Sequence, residues 1–286
     1  MRMVDAHHHL WDPSEREYPW MAGEQAQAWR RPFTTSDLRE VTDEAGVSHT
    51  VLVQTVSSVT ETQDFLATAA ASDGLIAAVV GWVDLTAPDV TDVIGLLRAG
   101  PGGDLLAGVR HQVEDEPDPD WLRRDDVRAG ARAVAEAGLT HDLLVRFDQL
   151  PAAAALTAEL PDASFVLDHA AKPPLGDQKA FAAWAANVAR LAASPNVLCK
   201  LSGLFTLGGS DDQLRRALDH LLAVFTPERL VFGTDWPVSV IASTYAETVS
   251  RTVDLVGGFS ETERAGFLSG NAERAYRMSV LSDQQH

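Results

Sequence analysis

The residues that could do chemistry begin at the start of the chain, where Val4-Asp5-Ala6-His7-His8-His9 reads as the end of a β-strand. An alternating strand points every second side chain to the same face, so His7 and His9 project together and His8 faces the other way. Two imidazoles side by side can hold a metal ion, a carboxylate or a water. A histidine run can also be a tag remnant, but this one is short, has no linker and continues into Leu10-Trp11-Asp12-Pro13. Further polar residues recur at the ends of later apolar runs: Gln54, Trp82, Arg110 and Gln112, Arg146, His169, Lys200 and Asp235. Any one of them has a structural explanation. Together they read as a site.

A site built from so many separate runs needs a scaffold that gathers their ends. Eight β-branched, apolar runs alternate with alanine-rich amphipathic segments, the pattern of repeated strand-helix units and a parallel sheet. The runs are 3–9, 50–55, 78–83, 107–113, 142–146, 164–169, 197–202 and 230–235. Helices are predicted near 35–44, 60–72, 89–98, 125–137, 150–159, 177–193, 211–225 and 244–256. Thr35 or Ser36, and Ser210 with Asp211 and Asp212, supply cap acceptors. Ser260 and Glu263 form a capping box ahead of an additional C-terminal helix over 260–278. The fold class is thus α/β, a (β/α)8 TIM barrel forming one domain over residues 1–286. A doubly wound sheet is the alternative, but its nucleotide-binding form carries a glycine fingerprint that this chain lacks. In a barrel the carboxyl ends of the strands host catalysis. His141, at the start of the fifth run, is therefore placed at the bottom and outside the site. His111 has the opposite parity to Arg110 and Gln112, so only a bulge would turn it inward. The stretch Trp11–Phe33, rich in aromatics, is long for a connection and reads as a binding loop or a packed cover.

Composition narrows the function classes. The chain of 286 residues is 45% hydrophobic and carries a formal net charge of -18, which repels phosphate backbones and anionic membranes. No run is long and apolar enough for a transmembrane helix, and no secretory signal is visible, so the expected location is the cytoplasm. The single cysteine, Cys199, excludes an internal disulfide and a cysteine-based zinc cluster. The expected partner is a small molecule, with neither nucleic acid nor membrane, and a homo-oligomer is compatible.

Over nearly its whole length the chain resembles the lactonases of the amidohydrolase superfamily. The resemblance rests on Asp5-Ala6-His7-His8-His9-Leu10-Trp11-Asp12, Gly108-Val109-Arg110-His111, Asp115-Glu116-Pro117-Asp118, Leu167-Asp168-His169-Ala170-Ala171-Lys172-Pro173, Cys199-Lys200-Leu201-Ser202-Gly203, Phe232-Gly233-Thr234-Asp235-Trp236-Pro237 and Gly270-Asn271-Ala272. The His-x-His element alone occurs throughout that superfamily; the ordered series is more specific. It implies a barrel hydrolase in which Asp235 takes a proton from water as the water attacks a lactone carbonyl. Arg110, Lys200 and His169 would stabilise the developing oxyanion. Gln54, Trp82, His111, Gln112, Arg146, Trp11 and Trp236 are the expected substrate contacts, and a sugar-acid lactone is the first substrate class. His7, His9 and Asp235 could hold a single zinc ion, with His169 substituting or adding; the resemblance favours an optional zinc over an obligatory cofactor. The alternatives are a zinc-dependent decarboxylase or hydrolase of an aromatic acid, and a barrel that only binds.

Overall fold

The computed structural model describes residues 2–23 and 25–278. Eight parallel strands are hydrogen-bonded in sequence order: β1 Val4–His8, β2 His49–Val53, β3 Ile76–Gly81, β4 Leu106–His111, β5 Thr140–Leu143, β6 Ser164–Leu167, β7 Val197–Leu201 and β8 Leu230–Phe232. The ring closes where Asp235 N–H donates to the His7 carbonyl at 2.8 Å and His9 N–H to the Trp236 carbonyl at 2.7 Å. Helices α1 Thr35–Ala45, α2 Val59–Ala70, α3 Val90–Ala99, α4 Asp125–Glu136, α5 Leu150–Glu159, α6 Gln178–Ala192, α7 Asp211–Phe225 and α8 Tyr245–Leu255 follow the strands in turn. This is the (β/α)8 barrel that the alternating pattern predicts.

The core divides into two. A large apolar layer lies between sheet and helices. A smaller interior cluster joins Val4, Ala6, Val51, Val53, Val80, Val166 and Val231 to Ala272, Ala275, Tyr276 and Met278. The last four belong to the C-terminal segment, where α9 Glu261–Ala265, a π-turn over Gly266–Gly270 and α10 Asn271–Ala275 run on from one another. The additional helix is thus a plug under the barrel as well as an outer element. Its capping box at Ser260 and Glu263 forms as the sequence predicts, whereas α1 is capped one residue earlier than expected, by Thr34 with Asp37.

Two local departures bear on the site. The β1–β2 register shifts between Asp5 and His8, so the alternation that puts Val4 and Ala6 inside changes phase before His7. That bulge keeps His7 and His9 pointing inward. Strand β5 starts earlier and ends at Leu143, pairing His141 with Val109 and Phe165. His141 is therefore at mid-barrel height, not at the bottom, and is excluded from the interior by its parity. Arg146 lies in the following loop rather than at a strand end.

Candidate active site

Closure of the barrel places Asp235. The buried Asp5 carboxylate accepts from Thr234 N–H at 2.8 Å, Thr234 Oγ1 at 2.6 Å, His7 N–H at 3.1 Å and the Tyr245 hydroxyl at 3.0 Å. These bonds pin β1 to the segment after β8. Asp235 itself adopts a left-handed φ of 60°. Gly203, at φ 64°, gives it room: a Cβ there would stand 2.9 Å from Asp235 Oδ2 and 3.0 Å from His169 Nδ1. The glycine lets the turn after β7 approach both groups.

Three acceptor atoms converge at this point, one of them from that carboxylate. His9 Nδ1 lies 2.7 Å from the Val53 carbonyl, which only accepts, so Nδ1 carries the proton and Nε2 presents a lone pair. His7 Nδ1 faces the acceptor Asp168 Oδ1 at 3.4 Å, and Arg110 Nη1, which only donates, stands 3.3 Å from His7 Nε2, so the Nδ1 proton is the one with an acceptor. The atoms His7 Nε2, His9 Nε2 and Asp235 Oδ1 are separated by 3.2, 3.4 and 3.6 Å. Ligands at the usual zinc bond lengths form a tetrahedron with edges of about 3.3 Å. The donor set and its spacing therefore fit one divalent ion, and these three residues form a buried cluster able to hold it. Burial holds the His7 imidazole well below its usual pKa, with Lys200 and His169 adding to the effect against the opposing pull of Asp168. Burial works against ionised Asp235 too, but the His169, His9 and His7 rings beside it outweigh this and hold its pKa below the usual carboxylate range.

Beneath the triangle runs a buried charge network. Arg110 Nη2 donates to the Gln54 carbonyl at 2.6 Å and to Gln54 Oε1 at 2.8 Å, while Nη1 donates to Asp168 Oδ2 at 3.0 Å. Lys200 Nζ lies 3.0 Å from Asp168 Oδ1 and 2.6 Å from Asp142 Oδ2. Burial opposes charge on Asp168, but Lys200, His7 and Arg110 together keep its pKa well below the usual value.

His169 reaches the mouth by an unusual path. Val166 points into the barrel, so simple alternation would turn Asp168 inward and His169 outward. Residues His169 to Lys172 instead take left-handed φ values of 52°, 51°, 54° and 50°, each disfavoured by about 1–2 kcal/mol for a residue with a Cβ. Tertiary bonds hold the turn: Trp184 Nε1 donates to the Ala170 carbonyl at 2.8 Å, His169 Nδ1 meets Ser202 Oγ at 2.9 Å, and Lys172 pairs with Glu114 at 2.5 Å.

The cavity at this mouth has a volume of about 240 Å³ and brings together His9, Arg110, Gln112, His169 and Asp235 from the predicted set. The other predicted residues lie elsewhere. Gln54 is wholly buried and holds Arg110; Lys200 is below the floor. Trp82 Nε1 donates to His111 Nδ1 at 3.1 Å, and His111 Nε2 bonds Glu116 at 2.8 Å while its ring stacks on Trp121. Arg146 turns to Asp148 and the Glu114 carbonyl. Trp11 and Trp236 are packed in the core; Trp20 and Trp29, from the same loop as Trp11, line the cavity instead, with Glu114, Asp115 and Lys172. Trp29 is fixed by Trp11 Nε1 donating to its carbonyl at 2.9 Å. Sequence reasoning missed Asp168, although alternation from Val166 could have found it. A larger cavity of about 570 Å³ opens among Ala77, Ala107, Arg98 and Arg277, away from this cluster.

Residues 4–278 match the family model described as amidohydrolase, and the chain belongs to that family. It is 34% identical to L-fucono-1,5-lactonase of Burkholderia ambifaria, over 99% of this chain and 98% of the relative. Against L-fucono-1,5-lactonase of Burkholderia multivorans it is 35% identical, over 98% and 97%. A crystal structure of an amidohydrolase from Burkholderia multivorans with bound Zn superposes with a TM-score of 0.90 at 33% identity, covering 98% of this chain and 100% of that one. Among the described residues, no helix is long and apolar enough to cross a membrane.

Proposed function

We propose that this amidohydrolase hydrolyses a sugar-acid lactone, with Asp235 as the group that activates water. The observation that carries the reading is the placement of Asp235 Oδ1 within 3.4 Å of His9, 3.6 Å of His7 and 4.0 Å of His169, at the floor of a cavity shared with Arg110. The full-length likeness to two proteins named L-fucono-1,5-lactonase supports the substrate class.

Asp235 stays ionised across the neutral range, and the depressed pKa that ensures this also makes it a weak base. Proton transfer to it becomes favourable only as the water oxygen bonds to the carbonyl carbon and negative charge moves to the carbonyl oxygen. Arg110 and His169 line the same cavity as Asp235. The N–H groups of Arg110 are taken by Gln54, His7 and Asp168, so the guanidinium acts on the oxyanion through its charge, while an aligned donor from His169 would stabilise it by roughly 3 kcal/mol. Collapse of the tetrahedral adduct breaks the ring C–O bond, and the proton held by Asp235 passes to the leaving alkoxide. Gln54 and Asp168 fix the guanidinium, and Lys200 fixes Asp168 from below. His7, His9 and Asp235 would hold a zinc ion, which when bound would polarise the carbonyl or the water.

The test is a pH-indicator screen of metal-analysed protein against sugar lactones and dicarboxylate lactones, with and without exhaustive chelation. Hydrolysis of L-fucono-1,5-lactone or a close analogue, largely retained after chelation, is the expected result. No lactone turnover in either metal state overturns the reading. Activity lost on chelation and restored by zinc would make the metal obligatory.

A further inference from the structure

Tyr276 does not line the catalytic cavity and has no place in the proposed chemistry; it borders the larger cavity beside the starts of β3 and β4 and ends a polar column that reaches from the barrel base to the catalytic floor. It follows α10 and sits in the otherwise apolar interior cluster. Its hydroxyl lies 2.9 and 3.0 Å from the two Asp142 oxygens, and its ring is 5.2 Å from Lys200 Nζ. Lys200 bonds Asp142 at 2.6 Å, pairs with Asp168 at 3.0 Å and stands 3.3 Å from His7 Nδ1. Asp168 in turn takes Arg110 at 3.0 Å. Every side chain from Tyr276 to Asp168 is essentially inaccessible to water.

We infer that Tyr276 is a positioning residue for the reaction, acting through Asp142 and Lys200 to set His7, Asp168 and Arg110. The inference rests on the lactonase reading for its kinetic consequence only. A purely structural plug would have no use for the column, because burying ions is expensive and apolar residues of equal volume often stabilise more. The hydroxyl has one proton and helps satisfy a carboxylate that otherwise leans on Lys200. Without it, Asp142 draws more of the ammonium's interaction toward the base, at the expense of Asp168 and His7. The substrate contacts of Arg110 and Asp235 would remain, but their aim would loosen, and misplacement by a fraction of an ångström is felt in the transition state before it is felt in binding.

The test compares Tyr276→Phe, which keeps the ring, with Thr140→Val, which removes a different bond of the same segment, from Thr140 Oγ1 to the Ala275 carbonyl. Tyr276→Phe should lower kcat about tenfold with KM within about twofold, and should shift the 15N imidazole signals of His7. Thr140→Val should lower the melting temperature alone. Unmoved His7 signals, or kcat within about twofold of wild type, would reduce Tyr276 to a plug and overturn the inference. If Tyr276→Phe fails to fold, Asp142→Asn measured in the same way carries the decision. Should wild type hydrolyse no lactone, the functional reading fails separately, and the imidazole signals alone decide for or against the column.

Discussion

His7 and His141 are both strand histidines buried to within 2% of complete exclusion from solvent, and they have opposite surroundings. Around His7 stand Arg110, Lys200, Asp168, His9 and Asp235, all within 3.6 Å. Neither ring nitrogen of His141 has a hydrogen-bond partner, and its nearest aromatic neighbour is Phe165, with ring centroids 5.7 Å apart. Burial holds both rings below their usual pKa, so neutrality does not distinguish them. The side of the sheet does. A histidine in the barrel interior shares a small volume with seven other strands, whereas His141 on the outer face is turned away from those groups and has His111 as the one titratable neighbour that adds to the effect of burial.

Variants that separate the two sides should differ in kind as well as size. Asp235→Asn keeps the volume and loses the base, so kcat should fall by about a thousandfold with the fold unchanged by circular dichroism. Turnover close to wild type would remove Asp235 from the interior machinery. Next comes Arg110→Met, expected to lower kcat by about a hundredfold if the guanidinium meets the oxyanion; a loss confined to KM would make it a contact for a distal substrate group. The covering loop should matter less. Trp20→Ala removes an aromatic surface worth about 1 kcal/mol against a sugar ring, so KM should rise about fivefold with kcat nearly unchanged.

The smallest kinetic effect belongs to the outer face. His141→Leu should leave kcat within about twofold and appear instead in the pH dependence of stability. The folded-state pKa of His141 is pushed down by burial to about 4, from 6.5 in the unfolded chain. As pH falls below 6.5 the unfolded chain takes up the proton first, so the stability that neutral His141 provides above 6.5 is lost between 6.5 and about 4. That loss has a slope of up to about 1.4 kcal/mol per pH unit. Urea titrations over this range should be flatter for His141→Leu; an unchanged slope would mean that His141 is not the desolvated group described.

Much of the architecture was legible in the residues. Predicted α5 and α7 coincide with the observed Leu150–Glu159 and Asp211–Phe225, because the alanine run behind Pro151 in the first turn of α5, and the amphipathic spacing and Ser210 cap of α7, are local signals. Strand ends were less legible. The fifth run reads on to Arg146, since Leu144 and Val145 are apolar, but pairing with β4 and β6 stops at Leu143. The aromatic loop shows the same limit: its composition leaves a binding loop and a packed cover open, and the fold assigns its residues to both, Trp11 to the core and Trp20 and Trp29 to the cavity wall.

By itself the sequence determined the barrel and the strand ends that carry His7, His9, Arg110, His169 and Asp235, because repeated strand-helix units are written into spacing along the chain; that His7 and His169 face the mouth was decided by a register shift in β1 and a left-handed turn after β6. The tertiary structure decided how those groups are held. Gln54 and Lys200 became supports, Asp168 joined two cations, Gly203 made room for Asp235, and four left-handed residues brought His169 back to the mouth. Those outcomes depend on which atoms barrel closure brings within hydrogen-bonding distance, and residues as far apart as Asp142 and Tyr276, or Asp5 and Thr234, have no local signal that announces the pairing.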